Sequence, residues 1–231
     1  MKISALIPAL PLALMSSMAL AQTIDVKITN LTQGMHFTPL LVSAHTNSST
    51  LFTAGEAATS ALQTMAEGGD IAPLVAASAA GTVNAENPAQ GLLAPAMGTM
   101  VSDLDTGSND RLSIVAMVLP TNDGFVGLDS WSIPSDAGTY TIYLNAYDAG
   151  SEVNDELLNT ESGGAQDGIP GAPGGDSGTG GTGVTSVESN SAIHIHRGNL
   201  GDTSLTGGVS DLDSRIHRWL NPVAKVVVTV K

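Results

Sequence analysis

The sequence predicts an all-β fold, an antiparallel β-sandwich with short helices in an early loop. Three observations carry this. Segments alternating apolar and polar residues with period two recur along the chain, and one run, Leu112 to Leu119, is almost continuously apolar. Nowhere does a strand pattern alternate with a long helical one, as a parallel sheet would require.

Taken in order, Ile24, Val26 and Ile28 alternate with Asp25, Lys27 and Thr29, the mark of a half-buried strand. Leu40 to Ala44 is a second short strand. Gly55 to Ala66 reads as a helix, with Ala58, Ala61, Leu62 and Met65 on one face and Gly68-Gly69 as its stop. Asp70 is placed to cap another short helix carrying Ile71, Leu74 and Val75. Asp103, Asp105 and Asp110 surround Gly107-Ser108, which reads as a hairpin turn. The run Leu112 to Leu119 is expected to be a central strand covered on both faces, broken by Pro120-Thr121-Asn122-Asp123-Gly124. Tyr140, Ile142, Leu144 and Ala146 mark a strand ending at Asp148-Ala149-Gly150. Residues 161–182 are rich in Gly and Pro and are expected to form a long mobile loop. Asp211 and Asp213 read as a turn before Arg215. Ala192 to His196 and Val223 to Val230 close the sheet.

The N-terminus predicts export. Lys2 precedes an apolar run from Ile3 to Leu14, and Ala19-Leu20-Ala21 fits a small-x-small cleavage pattern, giving a leader over 1–21 and a domain over 22–231. That run is shorter than the roughly 20 apolar residues of a spanning helix, so no integral membrane segment is expected. The chain contains no Cys, which removes disulfides, thiolate metal sites and thiol nucleophiles. Aromatic residues make up only 3%, so the core must be largely aliphatic. The formal charge of −14 repels nucleic acid and anionic lipid and favours divalent cations. Solubility alone also accounts for such a surface.

Several blocks carry a resemblance. They are Met117 to Asp129 (MVLPTNDGFVGLD) and Tyr147 to Glu156 (YDAGSEVNDE), with Leu51-Phe52 and Gly55, Ala66 to Asp70, and Arg218 to Ala224. Together they resemble the spondin N-terminal domain family, whose animal members are extracellular-matrix and pattern-recognition proteins and which has single-domain bacterial versions. The resemblance implies a sandwich related to calcium- and phospholipid-binding sandwich domains, with one calcium ion held between loops at an end. The family's calcium carboxylates match Asp123 and Asp148. A third matches Glu152, where animal members have Asp in Asp-Ala-Gly-x-Asp.

Calcium takes six to eight oxygen ligands at roughly 2.3–2.6 Å, and loops rich in Asp, Asn and Gly supply them. Spacing alone equally allows Asp123 and Asp148 to stabilise turns. Asn154, Asp155 and Glu156 extend the run and are reserve candidates for further ligands, with a solvated acidic loop as the commoner outcome. Phe125 and Val126, next to Asp123, are either a lipid-facing loop tip or core residues.

His194 and His196 are a second candidate site. On a strand they share one face opposite Ile193 and Ile195, and two such imidazoles can chelate zinc or copper. Two hydrogen-bonded histidines on a sheet face are the alternative. No His-Glu-x-x-His and no Gly-x-Ser-x-Gly motif is present. The sequence therefore points to an exported, periplasmic or extracellular, calcium-binding module with a non-enzymatic binding or adhesion role. Its ligand at the cell surface or outside the cell is undefined. A metal-dependent enzyme, or a transition-metal-binding protein, using His194 and His196 is the rival.

Overall fold

A computed structural model describes residues 21–159, 168–171, 173 and 178–231. The expected leader therefore lies outside the described residues, apart from Ala21. The strands are β1 (Thr23–Asn30), β2 (His36–Phe37), β3 (Leu41–His45), β4 (Val83–Glu86), β5 (Gly98–Asp105), β6 (Arg111–Leu119), β7 (Gly124–Ser132), β8 (Gly138–Asp148), β9 (His194–Ile195) and β10 (Ala224–Val230). Two helices, α1 (Ser60–Gly68) and α2 (Ala72–Ala76), lie between β3 and β4. All ladders between the strands are antiparallel, in the order β4-β3-β6-β7-β8-β10-β1-β5. The short strands β2 and β9 pair with β6 and β8.

Strand β8 joins the two halves of the sandwich. Its opening stretch, Gly138 to Leu144, pairs with β10, and its closing stretch, Asn145 to Asp148, pairs with β7. Between the halves lies an aliphatic core built from the alternating residues of β1 (Ile24, Val26, Ile28) and β10 (Val226, Val228, Val230) against Val42, Leu112, Ile114 and Val118. The other face of β6 presents Val115 and Met117 to a second core with Leu62, Met65 and Leu74 of the helices and with Phe52 and Phe125. Strand β6 is thus buried on both sides, which is why its sequence is a continuous apolar run rather than an alternating one.

Several local expectations are corrected. Helix α1 begins at Ser60, not Gly55, because Thr59 caps it by accepting Leu62 N–H at 3.2 Å; Gly55 and Glu56 belong to a turn closed by Glu56 N–H on Thr53 C=O, and Ala57 bridges Ala192. Its end is as expected, with Gly69 left-handed at φ 74. Asp70 Oδ1 accepts the Ala72 amide at 2.9 Å at the start of α2. The Gly107 turn joins β5 to β6, yet these strands do not pair with each other, so it is no hairpin. β5 lies beside β1 instead.

Between Asp148 and Ala224 the described residues are largely irregular, and buried carboxylates organise them. Glu156 accepts the amides of Leu200 (2.6 Å) and Gly201 (2.8 Å) and the Ser210 hydroxyl (2.7 Å). Asp211 accepts the amides of Leu158, Thr179 and Gly181. Asn154 and Glu156 are buried, so the expected solvated acidic loop is not what forms there. Asp213 does serve as a turn residue, accepting Arg215 N–H at 2.8 Å, whereas Asp211 is an internal hub. The described parts of the 161–182 segment are tied down: Ile169 is buried against Leu158 and Leu212, and Thr179 and Gly181 reach Asp211. The remainder, 161–167, 172 and 174–177, lies outside the described residues.

Candidate metal site at the β7–β8 end

The β7–β8 pairing closes the long sequence gap between Asp123 and Asp148. Gly124 is opposite Asp148, and Asp148 is in turn opposite His194 of β9. Each side chain of the Thr-Asn-Asp loop has its own task. The Thr121 hydroxyl donates to Val118 C=O (2.6 Å) and accepts Gly124 N–H (2.9 Å), shaping the turn. Asn122 reaches the next loop, donating to Asp155 and accepting Glu156 N–H. Gly124 leaves room for these neighbours, since a Cβ there would lie 2.7 Å from Thr121 Oγ1 and 3.1 Å from the His196 ring.

Asp123 is fully buried. Its Oδ2 accepts the amides of Ser151 (2.8 Å) and Glu152 (3.0 Å), while Oδ1 is buried without a hydrogen-bond partner. Asp148, 2% exposed, accepts Gly150 N–H at 2.8 Å on Oδ1 and the Asn154 amide at 2.7 Å on Oδ2. Burial, and then the neighbouring Asp148 charge, push the Asp123 carboxyl up to about 6. Two inward carboxylates with one orphaned oxygen form an acceptor-only cluster, which a hard cation would satisfy.

The third matched residue is placed differently. Glu152 holds Asp123 through its backbone amide, but its carboxylate accepts Gly168 N–H at 3.3 Å and lines a separate small cavity with Asn122, Asp155 and Gly168. Burial raises it to about 8, with smaller contributions from Glu67 and Asp123. Among the described residues, no three His, Cys, Asp or Glu side chains gather closely enough to form a metal centre by themselves. A cation at Asp123 and Asp148 would complete its shell with carbonyls and water.

The two histidines present different chemistry. His194 donates from Nδ1 to Ala192 C=O (2.8 Å) and turns Nε2 toward Asp148 Oδ2, 3.8 Å away. His196 is 3% exposed, and burial lowers it to about 4. Its Nδ1 accepts Gly198 N–H at 2.9 Å, so the proton of the neutral ring sits on Nε2, which is buried and unpartnered beside Trp219. In that tautomer only His194 offers a lone pair. The expected shared face is only partly realised, because Ile193 is buried while Ile195 is half exposed.

The blocks that are scattered in sequence meet in space. Phe52 meets Phe125 edge-on and Tyr147 at a tilt, both at ring distances of 5.0 Å, and Gly127 makes room for it. Asn221 Oδ1 accepts Ala146 N–H at 2.7 Å, and Trp219 packs on His196. A family model described as Spondin_N matches residues 28–159, more than half of the chain. The chain belongs to the Spondin_N family. Spondin domains are typically extracellular, non-enzymatic modules of the adhesion type. No curated protein matches this spondin domain. None of its described helices is long and apolar enough to cross a membrane. Phe125 and Val126 are core residues here, 0% and 1% exposed, and not a lipid-facing tip.

Sequence reasoning missed Ser151 and Glu188 in this neighbourhood and did not foresee the role of Asn154. Asn154 bridges Asp148 to Glu188, and Ser151 supports Asp123. Glu188 lies in a stretch with no motif, and only the fold brings it near His194.

Proposed function

We propose that this spondin domain is an exported adhesion or binding module, freed of its leader after Ala21, whose β7–β8 end holds one calcium ion through Asp123 and Asp148. The observation that supports this is the buried, unpartnered Oδ1 of Asp123 beside the Asp148 carboxylate. Calcium would neutralise the pair and tie the 120–124 loop to the 148–152 turn. Glu152 belongs to the rim of the site, its backbone amide positioning Asp123.

The test is calorimetric titration of chelator-treated mature protein with calcium, beside Asp148→Asn and Glu152→Gln. One-site binding is expected in the parent and in Glu152→Gln, within about threefold, and none in Asp148→Asn. A folded parent that gives no calcium heat would refute the reading. Zinc or copper binding that is lost in His194→Ala and kept in Asp148→Asn would move the chemistry to the histidines.

A further inference from the structure

The helical layer does not cover the whole outer face of the sheet. Beyond Leu41 and Val115 this face turns polar, and a cavity of about 450 Å³ opens between the end of β3, the 48–51 loop, the first turn of α1 and the last turn of α2. Its walls include Ser43, Ser49, Thr59, Ser60 and Ser78 over the apolar floor of Leu74. No Asp, Glu, Lys or Arg lines it, in a chain of net charge −14.

Two observations point to a ligand. Ser43, 1% exposed, has its hydroxyl buried without a partner. Beside it across the β3–β4 ladder, Asn84 also leaves Oδ1 buried and unpartnered, while its amide donates to Ser78 Oγ at 3.0 Å. A native fold seldom leaves such atoms unsatisfied unless something else fills them. The second is the cavity's two-sided polarity. Thr59 satisfies the Leu62 amide only, so the Ser60 and Ala61 amides at the start of α1 have no acceptor within the helix. The opposite wall is the end of α2, where the Ser78 hydroxyl donates to Leu74 C=O at 3.2 Å and accepts from Asn84, so that this side offers hydroxyl and apolar surface and no charge. An anion would find no Lys or Arg there, and a cation would find no carboxylate and would meet the α1 amides. A neutral ligand with many hydroxyls satisfies both walls, since each hydroxyl donates and accepts.

We propose that this cavity binds a neutral polyhydroxylated ligand, with a single hexopyranose unit of a glycan as the class that its size and lining fit. The site is separate from the β7–β8 end and needs no calcium.

The experiment is saturation-transfer NMR, followed by calorimetry, of the mature protein in EDTA with glucose, galactose, mannose and N-acetylglucosamine, and with sodium sulfate as the anionic comparator. At least one hexose is expected to bind. Loss of the Ser43 hydroxyl in Ser43→Ala should weaken it about tenfold, and Ala61→Trp, which fills the cavity, should abolish it. Asp148→Asn should bind as the parent does, which separates this site from the calcium reading. Absence of hexose binding to the folded parent, or binding unaffected by Ser43→Ala, overturns the proposal, as does sulfate binding in place of sugar. Ser43→Ala removes only a buried, unpaired hydroxyl, so it decides the matter even if Ala61→Trp does not fold.

Discussion

Asp123 keeps one carboxylate oxygen on two backbone amides and the other on nothing. Its folded pKa of about 6 stands above the ordinary 3.8, so the calcium-free native state takes up a proton more readily than the unfolded chain. The stability this gives is complete below about pH 4 and is lost as pH rises through about 6. Asp123→Asn should therefore flatten the pH dependence of the melting temperature between roughly pH 4 and 7 in EDTA, and raise the midpoint at pH 7. Equal slopes for parent and variant would refute this. With calcium the sign reverses, because protonation competes with the ion, and affinity should fall as pH drops below about 6. Saturation at a hundred times Kd would add about 2.7 kcal/mol, or several degrees in a domain of this size. The pairing of Asp123 with Asp148 could be read from the matched motif. Glu152 could not, since a backbone amide and a side chain serving different neighbours leave no trace in residue type.

At the scale of elements, Gly127 and Phe52 test the second core. A Cβ on Gly127 would lie 2.6 Å from the Phe52 ring. Gly127→Ala should cost about 1–3 kcal/mol by urea denaturation, and Phe52→Leu in the same chain should return some of that cost in a double-mutant cycle. Additive effects would show that the ring has space to retreat. Strands β1, β6, β8 and β10 were legible because their burial follows the pleat, with alternation where one face is covered and continuity where both are. Strand β5 was not. Met100 is half exposed and Leu104 is its one buried residue, so an edge strand stabilised by backbone pairing with β1 carries almost no apolar signal. β7 was hidden by its glycines, whose role is to admit Phe52 and His196.

Over the whole molecule, some of the acidic character is internal scaffolding rather than surface. Glu156 accepts two amides and a hydroxyl from residues 44 to 54 positions away, where no sheet ladder is available. Glu156→Ala should strand three donors, lower stability by about 3 kcal/mol or more, and release hydrogen-exchange protection at Leu200 and Gly201. Unchanged exchange there would mean that the segment holds itself. This organisation was not legible, because contacts across such separations have no period to betray them. The ladder between β1 and β10 has a mechanical consequence. Ile24 is paired with Val230 and Asn30 with Ala224, so tension entering at Thr23 and Val230 pulls on neighbouring points at one end of this ladder. Hydrogen bonds loaded this way break in succession, like a zipper, and do not resist together in shear. An adhesive unit strung in line through those two strands would give way at low force; one tethered at a single end, with its load carried through the β7–β8 loops, would bypass that seam.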